Sequence, residues 1–514
     1  MTITAPTRIT TASAIAPLLH TDGYKVGHVK QYPPHTTRVY SNWTNRGSRI
    51  EGVDSVVHFG LQAYLQEFLV EAFEPFFAAE EDEVADEYQR VMDSYLGPGA
   101  VDTDHIRALH RKGYLPLRFR AVAEGTLVPI RVPSFTIENT EPEFFWLVNY
   151  IESALSSQVW HPSTTATIAT LYRRLLDDAA IRTTGSTEGV DFQGHDFSSR
   201  GQTSLASAAA SGAGHLLSFL GTDSLPAVDW ISRYYPGEDN APIAMSVPAT
   251  EHSVMMAGIE AEDEQATFAR LLDTYPSGIL SVVSDTFDLW SVCNDILPAL
   301  KDRILARDGK LVIRPDSGDP ADILCGTRSN PNKVHTREVK LPETSPAYFG
   351  VIELLWNTFG GTINEQGFKV LDSHIGAIYG DSITLERAKD IIERLERFGF
   401  ASTNVVFGIG SFTYQYVTRD VFASAIKATW AEVDGVGHDM MKDPVTDNGT
   451  KRSAKGRLAV VRDKTGRLTL IEHATPEQEE ASELKVVWEN GHPVRTQSFK
   501  DVRTTLRKEL AAQR

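Results

Sequence analysis

Cysteine is nearly absent from this chain: Cys293 and Cys325 are the only two in 514 residues. That scarcity excludes a disulfide framework and any thiolate-rich zinc or iron-sulfur site, and it points to a reducing compartment. Long apolar runs are missing too. No stretch approaches the ~18 residues needed to cross a bilayer as a helix. The first twenty residues, MTITAPTRITTASAIAPLLH, carry neither a charged segment followed by an apolar core nor an Arg-rich amphipathic pattern, so no targeting signal is read there and a cytoplasmic protein is expected. Basic residues are outnumbered, with 50 Lys plus Arg against 68 Asp plus Glu for a net charge of −18. Nucleic acid and anionic membrane both require a broad positive field, so neither is an expected partner. Anionic small molecules stay open, because they need only a local pocket.

What is present is ordinary for a globular protein, at 41% hydrophobic and 23% charged residues, with length enough for two to four domains. Residues 61–79 have helical period, and the acidic run EEDEVADE at 80–87 reads as a solvated helix face. Residues 115–138 alternate in strand fashion around Gly125, and a long helical segment starts near Glu143. The stretch from Cys325 to Ser345, rich in Gly, Asn and Pro, reads as an exposed loop.

From about Ile279 the pattern changes to a repeated strand, an acidic or glycine turn, and a helix. LSVVSDTFD (280–288), KLVIRPDSGDP (310–320), GAIYGDSIT (376–384) and NVVFGIGSFT (404–413) each place an apolar strand before polar residues. The segments between them predict helices, with Leu289, Val292, Ile296, Leu297 and Leu300 on one face and Ala388, Ile391, Leu395 and Phe398 on another. Continuous apolar strands alternating with amphipathic helices predict a parallel sheet covered by helices. The fold class read here is α/β: an irregular β/α-barrel-like domain over residues 161–424, with a discontinuous α+β domain formed by 15–160 together with 425–514. Hairpin signals at Thr465-Gly466 and Asn490-Gly491 support the second assignment.

In a barrel-like sheet the strand C-termini converge on one rim, so Asp285, Arg314, Asp316, Asp381 and Gly410 are candidate site residues. Arg supplies a planar fork for phosphate, carboxylates bind sugar hydroxyls or Mg²⁺, and a glycine turn admits an anion to backbone N–H groups. The Walker-type pattern is absent. His252 in SVPATEHS has Glu251 beside it and no second histidine at metal-ligand spacing. Taken singly, each of these residues reads as a cap, a turn former or a surface group, and it is the succession of four such strand ends that points to a site.

The motifs DGYKVGHVKQYPP, HDFSSRG, GTD at 221–223, SVPATEHS, SVVSDTFD, IRPDSGDP, YGDSIT, FGIGSF, VTRD, KDPVTD and KRSAKGR occur in an order that resembles the nicotinamide phosphoribosyltransferase family, type II phosphoribosyltransferases. The resemblance covers nearly the whole chain from about Leu18. It implies transfer of phosphoribose from phosphoribosyl pyrophosphate to nicotinamide, with Mg²⁺, in a homodimer whose active sites lie at the interface. Phe197 resembles the ring-stacking phenylalanine and Tyr24 the tyrosine supplied by the second subunit. Arg314 resembles the arginine beside the ring, and Asp223 the aspartate that accepts from the carboxamide and repels nicotinate. His252 resembles the histidine phosphorylated by ATP, with Glu251 adjacent and Asp285 as its orienting carboxylate. Asp316, Asp381 and Gly380 would face the ribose. Phosphates would fall to Arg46, Arg200, Ser246, Ser281, Gly410, Ser411, Arg419, Lys427 and Lys451. Three departures stand at the phosphate end: Ser411 and Phe412 replace glycines, Ala425 replaces a serine, and Gly376 replaces an arginine. Alternative readings are a nicotinate or other pyridine-base phosphoribosyltransferase, and an inactive homologue acting as a binding protein.

Overall fold

A computed structural model describes residues 13–237, 242–330, 344–446 and 451–513. These form two compact units, one from the described residues within Met1–Thr164, Trp230–Glu238 and Thr418–Arg514, the other from those within Thr165–Asp229 and Asp239–Val417.

The first unit is built on a seven-stranded antiparallel sheet that interleaves both ends of the chain. Its order runs Val436–Asp439, Ser424–Val433, Thr36–Asn45, Pro133–Asn139, Leu117–Ala121, Lys485–Glu489 and His492–Pro493. Every residue of Pro133–Asn139 is buried. Trp43 stacks on Phe135 across neighbouring strands, with ring centroids 5.7 Å apart. The Asn490-Gly491 hairpin has φ of 51° and 87° at its two turn residues, the left-handed pair that lets two strands reverse with matching twist. Residues 61–78 are helical as expected, through a π-helical turn at Glu67–Glu71. The acidic run enters the helix Glu81–Leu96, which turns Val84, Ala85, Tyr88 and Met92 inward.

The second unit carries a six-stranded, all-parallel sheet. In chain order its strands are β1 (Gly194–Asp196), β2 (Gly221–Thr222), β3 (Ser277–Val283), β4 (Asp308–Arg314), β5 (Ile375–Tyr379) and β6 (Val405–Ile409), and the order across the sheet is β2-β1-β6-β5-β4-β3. Residues 245–250 span the two edges. Met245 bridges to Gly221 on β2 and Ala249 bridges to Ser281 on β3, while Thr222 donates its N–H to Met245 and Thr250 to Ser281. The sheet is thus curled, with residues 245–250 bridging to both of its edge strands.

Helices cover this sheet as the periodicity predicts. Leu289, Val292, Ile296, Leu297 and Leu300 are all buried, and Leu385–Arg397, capped by the Thr384 side chain, buries Ala388, Ile391 and Leu395. Phe398 is half-buried, with the Arg328 guanidinium 4.5 Å from its ring centroid. One expectation fails in part: Cys325 ends the helix Pro320–Cys325, Thr327–Ser329 is a 3₁₀ turn, and both Cys325 and Ser329 are buried rather than in an exposed loop. The cause is the pairing of Arg394 with Asp322 and with Ser329 Oγ, which anchors the start of that stretch. Residues 331–343 of it lie outside the described residues. Among the described residues no helix is long and apolar enough to cross a membrane.

Candidate active site

Because all six strands run the same way, their C-terminal ends share one rim, where the loops are free to carry chemistry. Phe197 follows β1, Asp223 follows β2, Asp285 follows β3, Arg314 and Asp316 end and follow β4, Gly380 and Asp381 follow β5, and Gly410 and Ser411 follow β6. A polar cavity of about 670 Å³ opens there, lined among others by Arg200, Glu251, Arg314, Asp316, Asp381 and Ser411. A second, apolar cavity of about 440 Å³ is lined by His195, Val247, Ile279, Lys310, Val312 and Val406 among others. Phe197, Asp223 and Ala249 line both, so an aromatic ring and a carboxylate stand where a phosphate-sized space meets an apolar one.

His252 opens the helix His252–Ala261 with Glu251 at the cap position. Glu251 accepts a short hydrogen bond from Ser253 Oγ. The imidazole Nδ1 lies 3.3 Å from Thr286 Oγ1 and Nε2 lies 3.2 Å from Asp316 Oδ1, with Asp285 Oδ1 at 3.9 Å. The resemblance casts Asp285 as the orienting carboxylate; in the structure Asp316 is the nearer one. Asp285 instead accepts the backbone N–H of Asp316 at 3.0 Å through Oδ2, and its Oδ1 is buried without a hydrogen-bond partner. His252 is 41% exposed at the side chain, so its ring is open to a reagent while two acids stand behind it.

Arg314 holds its guanidinium carbon 5.8 Å from the centre of the Phe197 ring, a cation over an aromatic face. Burial lowers the proton affinity of Arg314 against the pull of Asp316, Asp223 and Asp285. Gly408 makes room for the ring, since a Cβ there would lie 2.7 Å from Phe197 and 2.6 Å from the Tyr379 carbonyl. Burial pushes the Asp223 carboxyl up, but hydrogen bonds from His195 and Ser246 and the charges of His195 and Arg314 outweigh it and hold it below the usual carboxylate range.

The phosphoribosyl and phosphate candidates divide. Arg200, Gly380, Asp381, Gly410 and Ser411 line the polar cavity. Ser246 and Ser281 line the apolar one, and Ser246 Oγ donates to Asp223 Oδ1 at 2.6 Å. The departure at Ser411 is accommodated by Gly201, where a Cβ would sit 2.1 Å from Ser411 Oγ. Phe412 stacks on Tyr416 with 5.5 Å between centroids. At Gly376 the missing side chain leaves space beside the Lys310 stem, whose Cδ would be 3.3 Å from a Cβ.

The remaining candidates belong to the first unit. Lys427 and Ala425 lie on Ser424–Val433. Lys427 is lowered in proton affinity by burial, opposed by Glu152, and further by Arg46, Lys442 and Arg419, so four cations gather in that unit. Arg46 Nε donates to the Ala423 carbonyl at 3.1 Å. Tyr24 is 67% exposed, and Lys451 is exposed. His195 and Thr286 escaped the sequence reading. The signal for His195 was its place in HDFSSRG, two residues before the ring; nothing in the sequence marks Thr286.

Residues 192–492 match the nicotinate phosphoribosyltransferase (NAPRTase) family, and residues 16–91 match the nicotinamide phosphoribosyltransferase N-terminal domain. The chain is 49% identical over 509 residues to a nicotinamide phosphoribosyltransferase of Acinetobacter baylyi, covering 96% of this chain and 98% of that one. It is 37% identical to one of Mycoplasma pneumoniae, covering 86% and 95%. Among solved structures, the nicotinate-nucleotide pyrophosphorylase of Pyrococcus furiosus is similar with a TM-score of 0.56 at 15% identity, covering 99% of both chains. Human nicotinic acid phosphoribosyltransferase follows at 0.51 and 16%, covering 96% of this chain and 94% of that one. At such identities these two show the fold alone.

Proposed function

The chain belongs to the nicotinate phosphoribosyltransferase family and is a phosphoribosyltransferase enzyme, and from this we propose that it transfers phosphoribose from phosphoribosyl pyrophosphate to nicotinamide, yielding nicotinamide mononucleotide and pyrophosphate in the salvage of NAD. The observation that carries the choice of base is the position of Asp223 at the junction of the two cavities, which the Phe197 ring also lines, with its carboxyl held below the usual carboxylate range. A carboxylate accepts the N–H of a carboxamide and repels the carboxylate of nicotinate. Both bacterial relatives described above are nicotinamide phosphoribosyltransferases, in agreement with this choice.

In the reaction the pyridine nitrogen forms a bond to the anomeric carbon while the bond from that carbon to pyrophosphate oxygen breaks, its electron pair leaving with pyrophosphate. Positive charge grows on the ribose and negative charge on the leaving group. Phe197 stacks the pyridine and fixes its plane, worth about 0.5–1.5 kcal/mol beyond burial. Asp316 and Asp381 meet the ribose, and Arg200 with the 410–411 turn meets phosphate. Asp285 and Asp316 fit a hard divalent cation: with His252 they place ligand atoms within 4.8 Å of one another, and Asp285 Oδ1 is a buried acceptor without a hydrogen-bond partner. Mg²⁺ held there would neutralise charge on the departing pyrophosphate.

ATP stimulates the reaction by transferring its γ-phosphoryl group to His252, forming an N–P bond as ADP leaves. Thr286 and Asp316 hold the ring for that attack. A second copy of the chain supplies Tyr24 to the open face of the pyridine and Lys451 to phosphate, in a cytoplasmic homodimer. The test offers purified protein phosphoribosyl pyrophosphate and Mg²⁺ with nicotinamide or nicotinate, with and without ATP, and identifies the mononucleotide. Nicotinamide mononucleotide, formed faster with ATP, is the expected product. None from nicotinamide under any condition overturns the reading.

A further inference from the structure

The carboxylate that faces the base is itself held by two donors. His195 Nε2 lies 2.9 Å from Asp223 Oδ1, and Ser246 Oγ lies 2.6 Å from the same oxygen. Both bonds end on Oδ1; Oδ2 receives none among the described residues. An ionised carboxylate is acceptor-only, so the His195 nitrogen that faces it must carry the hydrogen. The imidazole has little freedom to turn away. Its side chain is only 11% exposed, the Phe197 ring lies 4.7 Å from it centre to centre, and its neighbour across the β1–β2 pair is Gly221, where a Cβ would sit 2.7 Å from His195 Nδ1.

We propose that His195 is a positioning residue that sets the choice of pyridine base: by donating to Oδ1 it turns Asp223 so that Oδ2 alone is presented to the ring substituent, as an acceptor. This rests on the assignment of nicotinamide as the base. A carboxamide N–H pairs with that oxygen. A carboxylate substituent pairs with it only if Asp223 takes up a proton and donates it, as two acids sharing one site do. Burial favours that neutral form, and the His195 and Ser246 hydrogen bonds oppose it. Without His195 the Ser246 bond alone holds Oδ1, so the carboxyl rotates and protonates more readily and rejection of the acid weakens. Selectivity exerted by Asp223 then depends in part on a buried hydrogen bond that never touches the substrate.

The test measures kcat and KM for nicotinamide and for nicotinate with the full-length protein, phosphoribosyl pyrophosphate and Mg²⁺. For His195→Leu the nicotinamide-to-nicotinate ratio of kcat/KM is expected to fall at least tenfold, the size of a lost hydrogen bond to a charged group. The change should lie mainly in the two KM values, with kcat for nicotinamide within about threefold, because the lost interaction orients the base in ground and transition states alike. His195→Gln, whose amide nitrogen reaches the same place, should restore most of the ratio, and His195→Asn, one carbon shorter, should not. If the Leu variant fails to fold, the Asn and Gln pair decides. A folded Leu or Asn variant with the wild-type ratio overturns the proposal while leaving nicotinamide as the substrate. Wild-type protein that makes no mononucleotide from nicotinamide overturns the substrate assignment and this proposal together.

Discussion

His252 Nε2 stands 3.2 Å from Asp316 Oδ1, and the two residues come from different loops of the rim, 64 positions apart in the chain. One acid therefore lies beside both the imidazole and the polar cavity. His252→Ala is expected to abolish stimulation by ATP and keep part of the basal transfer, whereas Asp316→Asn should lower the rate with and without ATP, by tenfold or more. The measurement is the transfer rate with and without ATP, together with acid-labile phosphate on the protein. Full stimulation in His252→Ala would remove the role assigned to that histidine.

Asp223 separates two substrates by charge. In Asp223→Ser, kcat/KM for nicotinamide should fall about 10- to 100-fold, since a hydrogen bond to a charged acceptor is lost, while use of nicotinate should stay level or rise. Steady-state kinetics with both bases checks this, and an unchanged preference would mean that discrimination lies elsewhere.

Gly408 is packed between the Tyr379 carbonyl and the Phe197 ring, at 2.6 Å and 2.7 Å from where a Cβ would stand. Neither neighbour is a flexible chain end. Gly408→Ala should displace the ring, cost about 1–3 kcal/mol of stability as overpacking does, and raise KM for the base more than it lowers kcat. Denaturation curves and base titrations read both effects.

The strands that were legible in the sequence are those that carry a continuous buried run, with 280–283 and 311–313 lying within longer strands whose first residues are more exposed. All five residues of Ile375–Tyr379 are buried, and four of five in Val405–Ile409, so each reads as a continuous apolar run. Gly194–Asp196 and Gly221–Thr222 span three and two residues, too short for any period, and residues 245–250 meet both edge strands through isolated bridges. The rim followed from the parallel strands; the partners within it did not. His195 meets Asp223 across 28 residues, and Ser246, expected at phosphate, turns to Asp223 instead. Spacing along a chain carries no information about contacts made only when strands pair. The buried start of the expected loop at Cys325 was hidden for the same reason, because it depends on Arg394 reaching Asp322 from another helix.

Three histidines make stability depend on acid. Burial lowers His58 to about 3. Burial lowers His105 to about 4 against the pull of Asp102, and His215 to about 4 against Asp196 and the hydrogen bond to Gly221. Each is neutral in the fold and protonates near 6.5 in the unfolded chain. Between these values the unfolded state binds more protons, so stability is full above about pH 6.5 and is lost as pH falls towards 4. Each imidazole contributes a slope of up to about 1.4 kcal/mol per pH unit, and three together up to about 4. Carboxylates held low by ion pairs, Glu138 among them, add a loss of the same sign only nearer pH 4. His58 isolates the effect, because burial is the single cause of its shift and its Nε2 has no hydrogen-bond partner. His58→Phe should therefore lose less stability than the wild type on going from pH 6.5 to 4.5, the difference growing by roughly 1 kcal/mol per pH unit below 6. Urea denaturation of both proteins at half-unit intervals measures it, and parallel curves would show that His58 is protonated in the fold.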